Sequence, residues 1–493
     1  MRTKILSPAA LVLLAAGCTV GPNYHPPIAR MPAQWSEPLT AGINSQDEQV
    51  SAWWKGFHDP ELDSLITRAV KTNLDLRIAQ ARVRQARAQL GFAQADYWPT
   101  VNAFGSYARQ KQSENQPIIG SLPLPSSVPF ENNVYQAGFD AAWEIDLFGG
   151  KRRAVQAATA ELAAVEYGRS DLLVTLLSEV ARNYVQTRGA QRQLAILQSQ
   201  ISAQEETVTI TRSRVEHGAA TELDLQRALA LLATIQAQVP AIETTIQSSI
   251  HRLGVLLAQT PDALREELSG TGPIPAPPPE VPVGLPSDLL LRRPDLRRAE
   301  RQLAAETARI GQVKADLFPK FFLTGSAGLT SVSTSDFFSP SSRMWSIGPT
   351  VQWRIFDAGR VRASIRAQTA LQDQASLAYE QTVLTSLEDV ENALVAYAKE
   401  QEHLCLLEQA VTANQKSVEL AAQLYTKGLG NYLNLLDAQR TLYVSQDEMV
   451  RSERAIAVNL ISLYKVLGGG WEMEKAQDHA AEKAEGAPEQ ARR

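Results

Sequence analysis

Cys18 and Cys405 are the only cysteines in the 493 residues, and they sit in contrasting settings. Cys405 lies inside a helical run and reads as a small apolar filler, the usual role of a free thiol in a core. Cys18 closes an N-terminal apolar stretch, where processing and modification act. A disulfide between the two is not expected. The six histidines are scattered, and there is no phosphate-binding glycine loop, no HExxH, no GxSxG and no CxxC pair. Gly428-Leu429-Gly430 is too short to cradle a nucleotide and reads as a turn. An enzyme is therefore not expected, nor any metal or cofactor.

Arg2 and Lys4 precede the apolar run Ile5 to Ala16, which is too short to span a bilayer and reads as the core of a signal peptide over 1–17. The small residues before Cys18 resemble the lipobox of bacterial lipoproteins, in which the cysteine becomes the acylated N-terminus. The usual large aliphatic residue stands one place early, at Leu14, with Ala15 in its position. A plain cleaved signal is the alternative. Thr19, not Asp, follows the cysteine, which in lipoprotein families implies outer-membrane sorting. Val20-Gly21-Pro22-Asn23-Tyr24 with Pro26-Pro27 should run extended along a surface, within a lipidated tether over 18–60.

A composition of 44% hydrophobic and 20% charged residues is globular, at a length that implies two or more domains. Aromatics are sparse at 6%, while Ala, Gln, Leu, Arg and Glu dominate long sections, which favours extended helices over a thick mixed core. The net charge of -5 comes without a basic patch, so no nucleic-acid partner is suggested. No stretch of about 18 apolar residues stands out, so a membrane crossing would have to be a closed β-barrel.

The elements that position any site are written twice. Arg214–Leu225 returns as Tyr425–Leu435, with Gly218 and Gly428 displaced by a constant 210 residues. Each glycine lies between long helix-forming runs, where a helix stops and reverses. In the first copy, 61–270, a helix from Glu61 to Ala95 follows Asp59-Pro60 and halts before Pro99. In the second, 285–470, the helix opens at Pro294-Asp295 and halts before Pro319. Strand-like segments follow, Val101–Arg109 with Val134–Ile145 and Phe321–Thr330 with Met344–Ile355, joined by polar loops, and Trp143 answers Trp353. Very long helices then run to about Val215 and Tyr425 with apolar heptads in common register. Their polar slots, Gln191, Gln198, Glu205, Gln401, Glu408 and Gln415, indicate a seam that is loose or wet on one side. Return helices Glu222–Leu257 and Tyr432–Leu467 follow the turns. A proline-rich linker over 271–284 joins the copies, and a charged tail over 471–493 is expected to be disordered.

A helix from Lys151 to Val215 would span roughly 100 Å, matching the opening and return helices of about 50 and 55 Å stacked end to end. The strands are long enough to cross an outer membrane when tilted. Four strands cannot close a barrel and open edges are not tolerated in lipid, so several chains must share one; three chains give twelve strands. The fold class is therefore mainly α with a transmembrane β part. Trp98, Trp143, Trp345 and Trp353 cluster near strand ends, where interfacial belts sit, or else fill the helix–sheet junction.

Trp53-Trp54 with Phe57 and Asp59-Pro60, the run GLPSDLLLRRPDLRRAE from Gly284 to Glu300, and YLNLLDAQRTL from Tyr432 to Leu442 carry a family likeness. With Cys18 and VGPNY they resemble the NodT-type lipoproteins of the outer-membrane efflux (TolC-like) family. The resemblance implies a homotrimer whose 12-stranded β-barrel continues as an α-helical periplasmic tunnel. It implies an exit duct for small molecules, docked through its turns, Gly218, Thr221, Gly428 and Asn431, to a periplasmic adaptor and working with an inner-membrane RND transporter. In similar proteins the periplasmic end is held nearly closed by the motif matched here by Leu433, Asp437 and Arg440. Their i, i+4, i+7 spacing puts all three on one helical face. The first copy has Leu223, Arg227 and Ala230 there, which leads to the expectation that Arg227 or Arg440 pairs with Asp437 in a closed state. A protein-secretion duct would share this architecture. A periplasmic adaptor lipoprotein would also be helical, but needs no paired strands.

Overall fold

The computed structural model describes residues 19–29, 31–40, 42–45, 50–111, 113 and 131–472. The expected signal peptide, Cys18, most of the first polar loop and the tail beyond 472 lie outside them. The chain runs through β1 (Ile43–Asn44), α1 (Pro60–Thr72), α2 (Leu74–Ala95), β2 (Thr100–Lys111), β3 (Glu131–Ile145), α3 (Gly150–Glu216), α4 (Glu222–Gln236) and α5 (Val239–Leu256). It continues through β4 (Val281–Pro282), α6 (Leu289–Arg292), α7 (Pro294–Ala315), β5 (Lys320–Ser331), β6 (Arg343–Gln352), α8 (Arg360–Thr426) and α9 (Tyr432–Val466). The elements pair off by length: α2 and α7 have 22 residues each, α3 and α8 have 67.

Local chemistry explains most ends. Asp59 caps α1, accepting from the backbone N–H of Glu61 at 3.0 Å and Leu62 at 3.1 Å, with Pro60 opening the helix. Pro99 and Pro319 turn α2 and α7 into β2 and β5, because the residue before a proline leaves the helical region.

Several expectations need correction. The helix expected over Glu61–Ala95 breaks at Asn73, whose ψ of 130° is non-helical. The Asn73 side chain offsets the lost backbone bonds by accepting from Leu76 N–H at 3.0 Å and donating to Leu256 O at 2.9 Å. The return helix expected over Glu222–Leu257 divides at Ala237 and Gln238, ahead of Pro240, which has no N–H to continue the ladder. An apolar 18-residue window does lie in Glu222–Leu256, contrary to expectation, but few of its residues are buried and this break interrupts it. The fourth strand ends at Gln352, leaving Trp353 and Ile355 beyond it. The linker is partly paired, since β4 lies parallel to β1. Cys405 is exposed rather than a core filler, one position round the helix from half-buried Leu404. Trp471, assigned to the tail, is buried and donates to Arg292 O at 2.7 Å.

Contacts divide the chain into two compact units. The first comprises the described residues up to Pro27 with Arg84–Ala164 and Glu300–Ala378. It holds a four-stranded antiparallel sheet in the order β2-β3-β5-β6. The second comprises Ile28–Val83, Val165–Ala299 and the described residues from Tyr379 onward. Its core gathers Trp53, Trp54, Leu62, Leu177, Tyr184 and Leu460, with Trp53 stacked on Tyr464 at 5.2 Å. The heptad residues are buried or half-buried, and most of the polar slots face water. Gln401 is half-buried and Gln191 is buried, donating to Leu268 O at 2.6 Å.

Candidate functional site

In the second unit, the two glycine turns share one construction. The N–H of Ala219 reaches back to Arg214 O at 2.7 Å, and that of Leu429 to Leu424 O at 2.9 Å. Gly218 and Gly428 sit at φ of 65° and 72°, the left-handed region this closure requires. Thr221 and Asn431 cap the helices that follow: Thr221 forms a capping box with Asp224, and Asn431 accepts from Asn434 N–H at 3.0 Å. Thr221 and Asn431 thus have structural work of their own in the turns.

The turns are joined by residues that sequence reading did not single out as a site. Arg214 donates to Tyr425 O at 2.6 Å, and its guanidinium lies 4.6 Å from the centre of that ring. The Tyr425 hydroxyl meets Thr211 Oγ1 at 3.2 Å, and Tyr425 packs edge-on against Tyr432 at 5.7 Å. Leu424 stands where Arg214 does in the other copy, and Val215 where Tyr425 does. That inequality was the available signal. Burial raises the pKa of Tyr432, so its phenol stays neutral at ordinary pH.

Leu433, Asp437 and Arg440 occupy one exposed face of α9, with Tyr432, Leu435, Leu436 and Gln439 buried on the other. Leu223 and Arg227 are likewise exposed on α4. Among the described residues no ion pair within the chain includes Asp437, Arg440 or Arg227, so a single chain brings the first three together without pairing them. Arg440 also lines a cavity of about 340 Å³ with Tyr443, Asp447 and Arg451. Burial pushes the Tyr443 phenol up to about 12.

In the first unit, the sheet register decides the chemistry. Val101 pairs with Ala141, Ala103 with Phe139, Trp143 with Leu323, Phe321 with Val351 and Ala327 with Trp345. Alternate residues of every strand therefore share one apolar face. It is uncovered: Val101 is 63% exposed, Phe139 59%, Trp345 77% and Ile347 69%. The opposite face is small and polar. Asn102 donates to Asp140 at 3.0 Å, and the Ser326 and Ser346 hydroxyls meet at 2.9 Å. Gly138 and Gly328 face each other so closely that a Cβ on Gly138 would lie 2.8 Å from the Gly328 Cα. An apolar face outside and a polar face inside is the pattern of a strand wall in lipid.

The family model described as outer membrane efflux protein matches residues 65–259 and again 285–469. The chain belongs to the outer membrane efflux protein family. It is 32% identical over 461 residues to nodulation protein T of Rhizobium leguminosarum bv. trifolii, covering 93% of this chain and 96% of that one. Over 481 residues it is 31% identical to the probable efflux pump outer membrane protein TtgC of Pseudomonas putida, covering 97% and 98% of the two chains. The solved structure of the outer-membrane channel OprN shares 36% identity and a TM-score of 0.86, over 92% of this chain and 100% of that one. The protein is an outer-membrane exit duct of efflux pumps, in a family of channels rather than enzymes.

The four tryptophans near the strand ends of this efflux channel divide into two kinds. Trp143 Nε1 donates to Tyr97 O at 2.8 Å and Trp353 Nε1 to Leu317 O at 3.1 Å, so both tie a strand end to the helix–strand elbow. Trp98 and Trp345 are 74% and 77% exposed in the single chain. Cys18 lies outside the described residues.

Proposed function

We propose that three copies of this chain close a 12-stranded barrel in the outer membrane, passing small molecules out of a tripartite pump. The observation that carries the proposal is the apolar face of a sheet that is uncovered among the described residues, and whose outer strands, β2 and β6, each have an edge unpaired among them. Unpaired edges are not tolerated in lipid, and eight strands enclose little more than side chains, so three copies make the smallest barrel with a lumen.

The duplicated elements support this closure. Within one chain α7 packs on the start of α3: Phe318 stacks on Phe148 at 4.6 Å, Arg309 pairs with Glu161 at 3.1 Å, and a Cβ on Gly150 would meet Ala315 Cβ at 2.9 Å. The matching surfaces of α2 and α8 are open. A Cβ on Gly91 or Gly359 meets nothing, and Phe92, Trp98 and Phe356 are 76%, 74% and 89% exposed. The α2 of one copy seats against the α8 of the next.

The turns at Gly218, Thr221, Gly428 and Asn431 receive the periplasmic adaptor of an inner-membrane RND transporter. Leu433 supplies an apolar ring and Asp437 an acidic one at the constriction, tied by Arg440 or Arg227 of a neighbouring copy. Cys18 carries the lipid anchor. Single-channel recording on reconstituted trimers tests the gate: Asp437→Ala should open more often and at higher conductance than the wild type. Unchanged conductance together with unchanged antibiotic sensitivity of the host would refute it.

A further inference from the structure

The first described residues are seated rather than loose. In the unit that holds the sheet, Val20 N–H donates to Phe148 O at 3.0 Å. Arg153, 4% exposed, donates to Val20 O at 3.1 Å, Gly21 O at 3.3 Å and Asn23 Oδ1 at 2.8 Å. The Tyr24 hydroxyl donates to Glu300, and the Arg301 guanidinium lies 5.7 Å from the centre of the Tyr24 ring. Backbones meet without room for side chains. A Cβ on Gly21 would fall 2.4 Å from the Gly311 Cα, and one on Gly149 would fall 2.7 Å from the Thr19 side chain. Gly21 and Gly149 also hold φ of 93° and 79°, which other residues rarely adopt.

The seat belongs to one half only. Gly91 and Gly359 repeat the glycines at 311 and 149, but Ala363 stands where Arg153 does, and among the described residues no segment lies against either glycine. Within the single chain, the groove that carries the buried guanidinium is the occupied one.

We propose that Gly149, Arg153 and Gly311, with Glu300 and Arg301, form a receptor for the processed N-terminal strap Thr19–Tyr24. It fixes the point at which the acyl-bearing residue leaves the protein, and so rests on the reading of Cys18 as the lipidated N-terminus. Thr19 is held beside Gly149, just past the end of β3. The anchor enters the bilayer at the foot of the sheet instead of on a free tether, which removes the entropy of a loose linker from the membrane contact.

Full-length protein extracted from membranes tests this by two readouts on the same samples, palmitate incorporation and hydrogen exchange of residues 19–24. Gly21→Val lies in the strap and leaves the packing of the seat intact; Arg153→Ala empties the seat from the other side. Both should keep the palmitate label while the Val20 amide, bonded to Phe148 O in the seat, exchanges roughly ten- to hundredfold faster than in wild type as the strap is released. Equal exchange in wild type and Gly21→Val overturns the receptor. A wild type that carries no palmitate but keeps a protected strap overturns both the acylation of Cys18 and the anchor-fixing role, and leaves only a dock for a bare N-terminus.

Discussion

Asn73 donates to Leu256 O at 2.9 Å in the first half of the molecule, and Arg293 donates to Val466 O at 3.1 Å at the matching place in the second. Both residues interrupt a helix, by different routes. Asn73 caps α2 through its own side chain, whereas Arg293, at ψ of 117°, is held extended by the proline that follows. The neutral amide needs no partner charge. The guanidinium, 9% exposed, needs two, and finds Asp295 at 2.7 Å and Asp389 at 3.2 Å. Burial alone would lower the pKa of Arg293 and raise that of Asp295, but their mutual hydrogen bonds and charges outweigh it, so Arg293 moves up and Asp295 down. Glu179, the counterpart of Asp389, is engaged elsewhere, by Arg182 at 2.5 Å and Arg252 at 3.8 Å. Duplication preserved the backbone contact and let its electrostatics diverge, so acid should loosen one junction and spare the other.

The largest expected difference comes from deleting each junction residue. Arg293→Ala strands two carboxylates and should cost about 3–5 kcal/mol. Asn73→Ala loses a cap and a hydrogen bond and should cost about 1–3 kcal/mol. Denaturant unfolding of the detergent-extracted protein compares them, and equal losses would break the contrast. The pH dependence is the next largest effect. Because the folded pKa of Asp295 is depressed, its stabilisation is complete above the unfolded value of about 3.9 and disappears as pH falls through the folded value. Melting scans from about pH 5 to pH 3 should therefore show a steeper acid loss in wild type than in Asp295→Asn. Parallel curves would remove the ionic half of the comparison. The smallest effect lies at the turns, where Thr221→Ala and Asn431→Ala should each cost about 1 kcal/mol. The two losses should be alike, since each side chain accepts from one backbone N–H, at 3.3 Å for Thr221 and 3.0 Å for Asn431.

Features governed by neighbours in the chain were legible in the sequence. Pro99 and Pro319 mark the elbows, Gly218 and Gly428 the reversals, and Asp59-Pro60 the start of α1, because each acts through its own backbone geometry. Pro240 carried the same kind of signal, and the break between α4 and α5 was there to be read. Asn73 was not, since asparagine tolerates a helix interior and its break is stabilised by a carbonyl at Leu256, far along the chain. Of the site, the face bearing Leu433, Asp437 and Arg440 followed from helical spacing. The Arg214–Tyr425 contact depends on bringing the two turns together, and the exposure of Cys405 depends on which face of α8 the chain leaves uncovered.

By itself the sequence determined the duplicated order of elements, the ends of most helices and the period-two alternation of the strands, all of which arise from short-range sterics and hydrogen bonding. Tertiary structure decided the register that puts Phe139 beside Ala327 and Ala327 beside Trp345, and so gathers the apolar residues on one side of the sheet. It also decided that Thr19–Tyr24 would be seated and that Arg293 would be paired. Each of these depends on the free energy of groups far apart in the chain desolvating together, and a slip of one residue in register would turn the apolar face to the polar side.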